Sequence, residues 1–102
     1  MTNPRTSDSG ARILRVLKAL KGYSLTGISN GELAKGLSES PANINRAVNT
    51  LIAEGLAVKL DNGRFAPSIA LLQIAQAHAN EMNAMQHRIT ETNQRVLAGA
   101  GR

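Results

Sequence analysis

The feature that most limits the fold is a pair of helix starts in close succession, joined by a turn too short to let the two helices separate. Ser29-Asn30-Gly31-Glu32 carries a serine followed three residues later by a glutamate. This is the pattern of a capping box, in which each side chain satisfies an exposed amide of a new helix. That helix reaches only to about Leu37, two turns, and one so short persists only if it packs on something else. Ser38-Glu39-Ser40 forms the turn. Ser40-Pro41 then opens another helix, because serine caps and proline suits the first helical position, where its missing amide is not needed. It runs to about Glu54 with an apolar stripe of Ile44, Val48, Leu51 and Ile52, and Gly55 is placed to close it in the left-handed conformation.

The flanks extend this pattern. From Ser9 onward, Ile13, Leu14, Val16, Leu17 and Leu20 fall at the 3-and-4 spacing of an amphipathic helix that Gly22 stops. Tyr23 to Ile28 is a loop or short extended segment. Leu56-Ala57-Val58-Lys59-Leu60 and Arg64-Phe65-Ala66 flank Asp61-Asn62-Gly63, a tight-turn signal, so a β-hairpin is predicted with Pro67 ending its second strand. Met1 to Asp8, rich in Thr, Ser, Asn and Pro, reads as a disordered arm. From Ser68 the chain has no Gly or Pro until Gly99, which allows a helix over 68–98 of ~45 Å, followed by a tail at 99–102.

Helix, short helix, three-residue turn, capped helix and hairpin is the order of a winged helix-turn-helix, whose third helix enters the DNA major groove. The predicted class is therefore mainly α, with this domain over 9–67 and a long C-terminal helix. Ala34 is small where two helices would cross closely, and Leu37, Ile44, Val48 and Leu51 would form their shared core.

Length and composition agree. A chain of 102 residues has room for one small core, and with only Tyr23 and Phe65 aromatic that core must be aliphatic. The absence of cysteine excludes disulfides, thiolate metal sites and a cysteine nucleophile. The polar N-terminus lacks the apolar core of a signal peptide, and no stretch reaches the ~18 apolar residues of a membrane span, so residence in the cytoplasm is expected. The net charge of +5 is the electrostatic footprint of a nucleic-acid binder. Its excess sits in residues 1–67, with nine basic against five acidic residues. His78 and His87 have only Glu81 and Glu91 around them, which is no recognisable metal site. No phosphate-binding glycine loop, nucleophile elbow or paired catalytic carboxylates are present, so neither an enzyme nor a cofactor is expected.

Residues 11–66 resemble the N-terminal DNA-binding domain of IclR-type regulators. The resemblance rests on Ala11-Arg12-Ile13-Leu14-Arg15-Val16-Leu17, Glu32-Leu33-Ala34, Ile44-Asn45-Arg46-Ala47-Val48-Asn49-Thr50-Leu51 and Glu54-Gly55-Leu56-Ala57-Val58, in that order and spacing. MarR-type and other winged helices share much of the pattern. Ser38 stands where glycine is usual and Glu39 where an apolar residue is common. The family's effector domain has no counterpart in residues 68–102, so a small-molecule effector is not expected.

With Ile44, Val48 and Leu51 turned inward, Ala42, Asn43, Arg46 and Asn49 face outward, with Asn45 to one side. Asn43, Asn45, Arg46 and Asn49 are the candidate base readers: Asn can pair with adenine and Arg with guanine through two hydrogen bonds, each worth roughly 1–3 kcal/mol of discrimination. The plainer reading is a solvated helix face, which poor helix formers would gain nothing by making. Lys59 and Arg64 flank the hairpin turn as candidate wing contacts, or as charges protecting a strand edge. Ser40, Lys35 and Arg12 are further candidates for the DNA backbone, and Arg15, Lys18 and Lys21 recur beside Arg12.

In the last helix, the positions Ser68, Leu71, Ala75, His78, Met82, Met85, Ile89, Thr92 and Val96 alternate by 3 and 4. Six of the nine are apolar, the pattern of a coiled-coil seam, and Leu71, Ala75, His78, Met82, Met85, Ile89 and Val96 are the candidate dimer contacts. Ile69, Leu72 and Ile74 are read as packing on the preceding domain. The function expected is a regulator that binds double-stranded DNA as a homodimer and represses by occupying its operator. Two other readings share this surface: a protein-binding adaptor or inhibitor built on the same scaffold, and a DNA-binding component of phage or mobile-element replication or recombination.

Overall fold

The computed structural model describes residues 4–101. Along the chain run α1 (Asp8–Ala19), α2 (Asn30–Leu37), α3 (Pro41–Ala53), β1 (Ala57–Lys59), β2 (Phe65–Pro67) and α4 (Ile69–Ala100). They form two compact units that divide between Leu71 and Leu72.

Each helix of the first unit starts on a serine whose hydroxyl oxygen accepts an otherwise unpaired amide, as helix caps do. Ser7 accepts from Gly10, Ser29 from Glu32 and Ser40 from Asn43. The expected arm at 1–8 is thus shorter on its C-terminal side, because Ser7 caps α1 and Asp8 belongs to it; residues 1–3 lie outside those described. Ser29 and Glu32 meet as a capping pair: the Ser29 hydroxyl accepts from the Glu32 amide and donates to the Glu32 carboxylate, each at 3.1 Å.

The turn between α2 and α3 closes on Ser38 in the left-handed conformation, φ 56°, a geometry that glycine adopts without cost and serine does not. Gly55 ends α3 with φ 76°, as its position predicts. β1 and β2 pair antiparallel, with Val58 opposite Ala66 and Lys59 opposite Phe65. Ile28 joins on the other side of β2, exchanging two 2.8 Å backbone hydrogen bonds with Phe65. The connector after α1 therefore adds a third, one-residue strand to the wing.

The core gathers Val16 from α1 and Leu20 that caps its end, Leu33 and Ala34 from α2, Ile44, Ala47, Val48 and Leu51 from α3, and Phe65 from β2. Leu20, Leu33, Ile44, Val16 and Val48 are fully enclosed, and each contributes about 1.5–3 kcal/mol of apolar burial. Two apolar assignments change. Ile52, expected in the α3 stripe, is 37% exposed, and Ala47 takes the buried place because 44, 47, 48 and 51 share one face at about 100° per residue. Leu14 likewise turns outward.

Gly27 is where backbone elements come closest. Its φ is +74°, and a side-chain Cβ built there would lie 2.7 Å from Arg64 Cβ, 2.9 Å from Leu60 Cδ1 and 3.2 Å from the Phe65 carbonyl. The connector can lie against the hairpin only because this residue has no side chain.

Ser68 is buried between the hairpin and α4. Its hydroxyl donates to the Gly55 carbonyl at 2.6 Å and accepts from the Leu71 amide at 3.1 Å, so one residue closes α3's exit and caps α4.

In the second unit, α4 continues through Gly99 to Ala100, past the predicted end at 98, and Gly101 lies in a turn; Arg102 is outside the described residues. A glycine in a helix costs about 1 kcal/mol, which one position does not make prohibitive. No residue of α4 is buried, and Ile69, Leu72 and Ile74, expected to be packed, stand exposed. Among the described residues, no helix is long and apolar enough to cross a membrane.

Candidate nucleic-acid interface

With 44, 47, 48 and 51 held inward by the core, Ala42, Asn45, Arg46 and Asn49 occupy the opposite arc of α3, all exposed. Asn45 and Asn43 exchange their predicted places. Asn45, expected to one side, stands on the exposed arc, whereas Asn43 is half-buried at its edge toward α1.

Asn43 is also held by its neighbours. Its amide donates to Glu39 Oε2 at 3.2 Å, and its carbonyl oxygen accepts from Arg46 Nη2 at 2.6 Å. Arg46 therefore rests on Asn43, which rests on Glu39. The same Glu39 faces α1, where Arg12 Nε lies 3.1 Å and Arg15 Nη2 3.9 Å from Oε1. The Arg12 Nε–H is directed off that oxygen, so the contact is an ion pair rather than an aligned hydrogen bond. Arg12, a candidate for phosphate contact, also ties α1 to the turn before α3. Between these side chains a shallow groove of about 170 Å³ separates Arg12 and Ile13 from Asn43, Arg46 and Ala47.

The Arg12 guanidinium first, and the Asn43 amide second, hold the Glu39 carboxyl below its ordinary value of 4.5, outweighing the opposing effect of burial. A carboxylate with a depressed folded-state pKa contributes stability that is present above its unfolded value and is lost as pH falls through the folded one. The thermal midpoints of the native protein and of Glu39→Gln should therefore differ most at neutral pH and converge as pH drops below 4.5. A difference that persists unchanged down to pH 2.5 would contradict this role.

The wing is fastened in a similar way. Arg64 Nη2 donates to Glu32 Oε1 at 2.6 Å and Arg64 Nε to the Gly27 carbonyl at 3.1 Å. The Arg64 contact leads, and the Ser29 hydroxyl follows, in lowering the Glu32 carboxyl below its ordinary value. Asn62 accepts the Arg64 amide at 3.0 Å and donates to the Thr26 carbonyl at 3.3 Å, stitching the hairpin turn to the connector. Arg64 is thus a half-exposed clasp between wing and α2, while Lys59 stands exposed on β1. Lys35 is exposed on α2, and Ser40 is exposed at the start of α3 with its oxygen engaged in the cap.

Sequence reasoning missed the partners that Glu39, Glu32 and Asn30 find on other elements. Asn30 donates to the Pro41 carbonyl at 3.1 Å and fixes the start of α2 against the start of α3. These are partnerships between elements, and periodicity within an element carries no sign of them. Among the described residues, no group of three or more histidine, aspartate or glutamate side chains converges on a possible metal position.

The fold is shared with a crystal structure of HmgR from Pseudomonas aeruginosa, at 23% identity and a TM-score of 0.66 over 78% of this chain. The chain spans about a third of HmgR, 34% of its length. A structure of a point mutant of ZitR from Lactococcus lactis matches with a TM-score of 0.46 and 14% identity, over 93% of this chain and 65% of that one. No family model matches the chain, and no curated protein matches it in sequence. The three helices and hairpin of the first unit constitute a winged helix, followed in the chain by a long helix.

Proposed function

We propose that this chain is a transcriptional regulator of the IclR type that binds double-stranded DNA as a homodimer and represses by occupying its operator. The observation that carries the reading is the exposed arc of α3: Asn45, Arg46 and Asn49 stand together on a helix whose opposite face is locked into the core of a winged helix. In that fold the third helix is the one that lies in the major groove, where Arg matches guanine and Asn matches adenine. The basic surplus of residues 1–67 supplies the attraction for phosphate.

In this reading each exposed side chain takes a distinct role. Asn45, Arg46 and Asn49 read bases, Asn43 aims Arg46 from the edge, and Lys59, Lys35 and Ser40 meet the backbone. Arg12 and Arg64 contribute by holding α1 and the wing in place. No catalytic step and no cofactor enters this function, and α4 is the dimer contact.

Selection of bound duplexes from a random pool at ~150 mM salt tests the reading. Enrichment of one motif repeated in two-fold symmetry is expected, since a symmetric dimer reads a symmetric site. Recovery of an unenriched pool would refute sequence-specific binding and favour a protein-binding adaptor.

A further inference from the structure

α4 is 32 residues long, none of them buried, and along it Met82, Met85 and Ile89 each stand about half exposed. A helix owes most of its stability in a protein to packing of an apolar face, so this stripe calls for a partner. Building on the dimer reading above, we propose that α4 pairs antiparallel with α4 of a second copy, in the one register that sets Met82 against the partner's Met85.

The charges beside the stripe select that arrangement. In a two-stranded coil the positions flanking the seam decide orientation and register. On one flank of this seam stand Glu81, Arg88 and Arg95 at seven-residue intervals; on the other stand Ala79, Gln86 and Asn93. A parallel pair would set the charged flank of each helix against the uncharged flank of the other, leaving Glu81 without an opposite charge. It would also stack His78 on its own copy. An antiparallel pair brings like flanks together instead. With Met82 against the partner's Met85, Glu81 faces the partner's Arg88, and two-fold symmetry makes the contact twice. His78 then meets the partner's Ile89, and the seam runs without a break from Leu71 to Val96. Sliding by seven residues in one direction sets Glu81 against its own copy; in the other direction Glu81 faces the partner's Arg95 but Arg88 meets its own copy. Only the middle register pairs opposite charges without also setting like charges together.

Because the chain has no cysteine, introduced ones report the geometry directly. In the proposed pair Ala75 lies across the seam from the partner's Thr92, while the two copies of Ala75 are about 25 Å apart along the axis. A disulfide needs Cα atoms within about 7 Å. Full-length Ala75→Cys and Thr92→Cys proteins, one carrying a size tag, are mixed, oxidised and separated without reductant, with solution mass measured alongside. The expected product is the mixed 75–92 dimer, with no 75–75 dimer. A dimer linked 75–75 and 92–92 overturns the antiparallel orientation while leaving dimerisation standing. A monomeric mass across the micromolar range overturns both, and the duplex selection reports on DNA binding independently of either. Reversing one charge, Glu81→Arg, should weaken the dimer about tenfold by symmetry-doubled repulsion, and adding Arg88→Glu should restore it. In a parallel pair neither change would have this compensating effect.

Discussion

Replacing Gly27 with alanine is expected to lower the stability of the winged-helix unit by about 2–5 kcal/mol, whereas alanine at Gly22 should cost only about 1 kcal/mol. Both glycines have positive φ, +74° and +86°, so both substitutions carry the backbone penalty. They differ in what surrounds the new methyl group. At Gly22 nothing lies within 4 Å, but at Gly27 the methyl would meet Arg64 Cβ at 2.7 Å and the Phe65 carbonyl at 3.2 Å. Relief would require moving the hairpin, which would break the Ile28–Phe65 backbone pair and the Arg64 bonds to Gly27 and Glu32. In a unit of this size each kcal/mol corresponds to roughly 4–8 °C, so thermal melts of the two variants should be well separated. Coincident midpoints would show that the connector and hairpin are not held as described.

The second large effect concerns DNA. On its selected duplex, Arg46→Ala should lose about 1–3 kcal/mol, roughly 5- to 150-fold in affinity, and relax preference at one base pair. Lys59→Ala should behave differently: binding weakens about equally on every sequence, and the slope of log affinity against log salt falls by about one. Asn43 separates positioning from contact. Its carbonyl oxygen holds Arg46 at 2.6 Å, so Asn43→Ala should impair discrimination at the same base pair as Arg46→Ala, with little added loss in the double variant. Uniform losses for Arg46→Ala on all duplexes would reassign that side chain to phosphate.

Local chemistry made most of the fold legible in the sequence. The serine caps of α2 and α3, the glycine at the end of α3, the Asp61-Asn62-Gly63 turn and, Leu14 and Ile52 apart, the apolar spacing of α1 and α3 act over a few residues and take the predicted form. Contacts between distant elements left no such mark. Arg64 and Glu32 are 32 positions apart, and nothing at either position announces the pair, so the sequence offers Arg64 as a wing contact and gives no sign that it also clasps α2. Glu39 was noted only as departing from a pattern, yet its carboxylate gathers Arg12, Arg15 and Asn43 from two helices. The exposed arc of α3 was legible to within one residue. Asn43 and Asn45 exchanged places because a helical wheel fixes direction but not how closely α1 approaches one side. In α4 the stripe was visible, whereas the exposure of Ile69 depends on where the domain surface ends.

Methylation protection of the selected duplex most directly tests whether the exposed arc of α3 meets base edges, because guanine N7 opens only onto the major groove. Native protein should shield a guanine within each half-site, and Arg46→Ala at saturating concentration should lose that shielding while still occupying the DNA. Guanines that stay equally reactive with and without native protein, or shielding that survives loss of Arg46, would contradict readout by this helix.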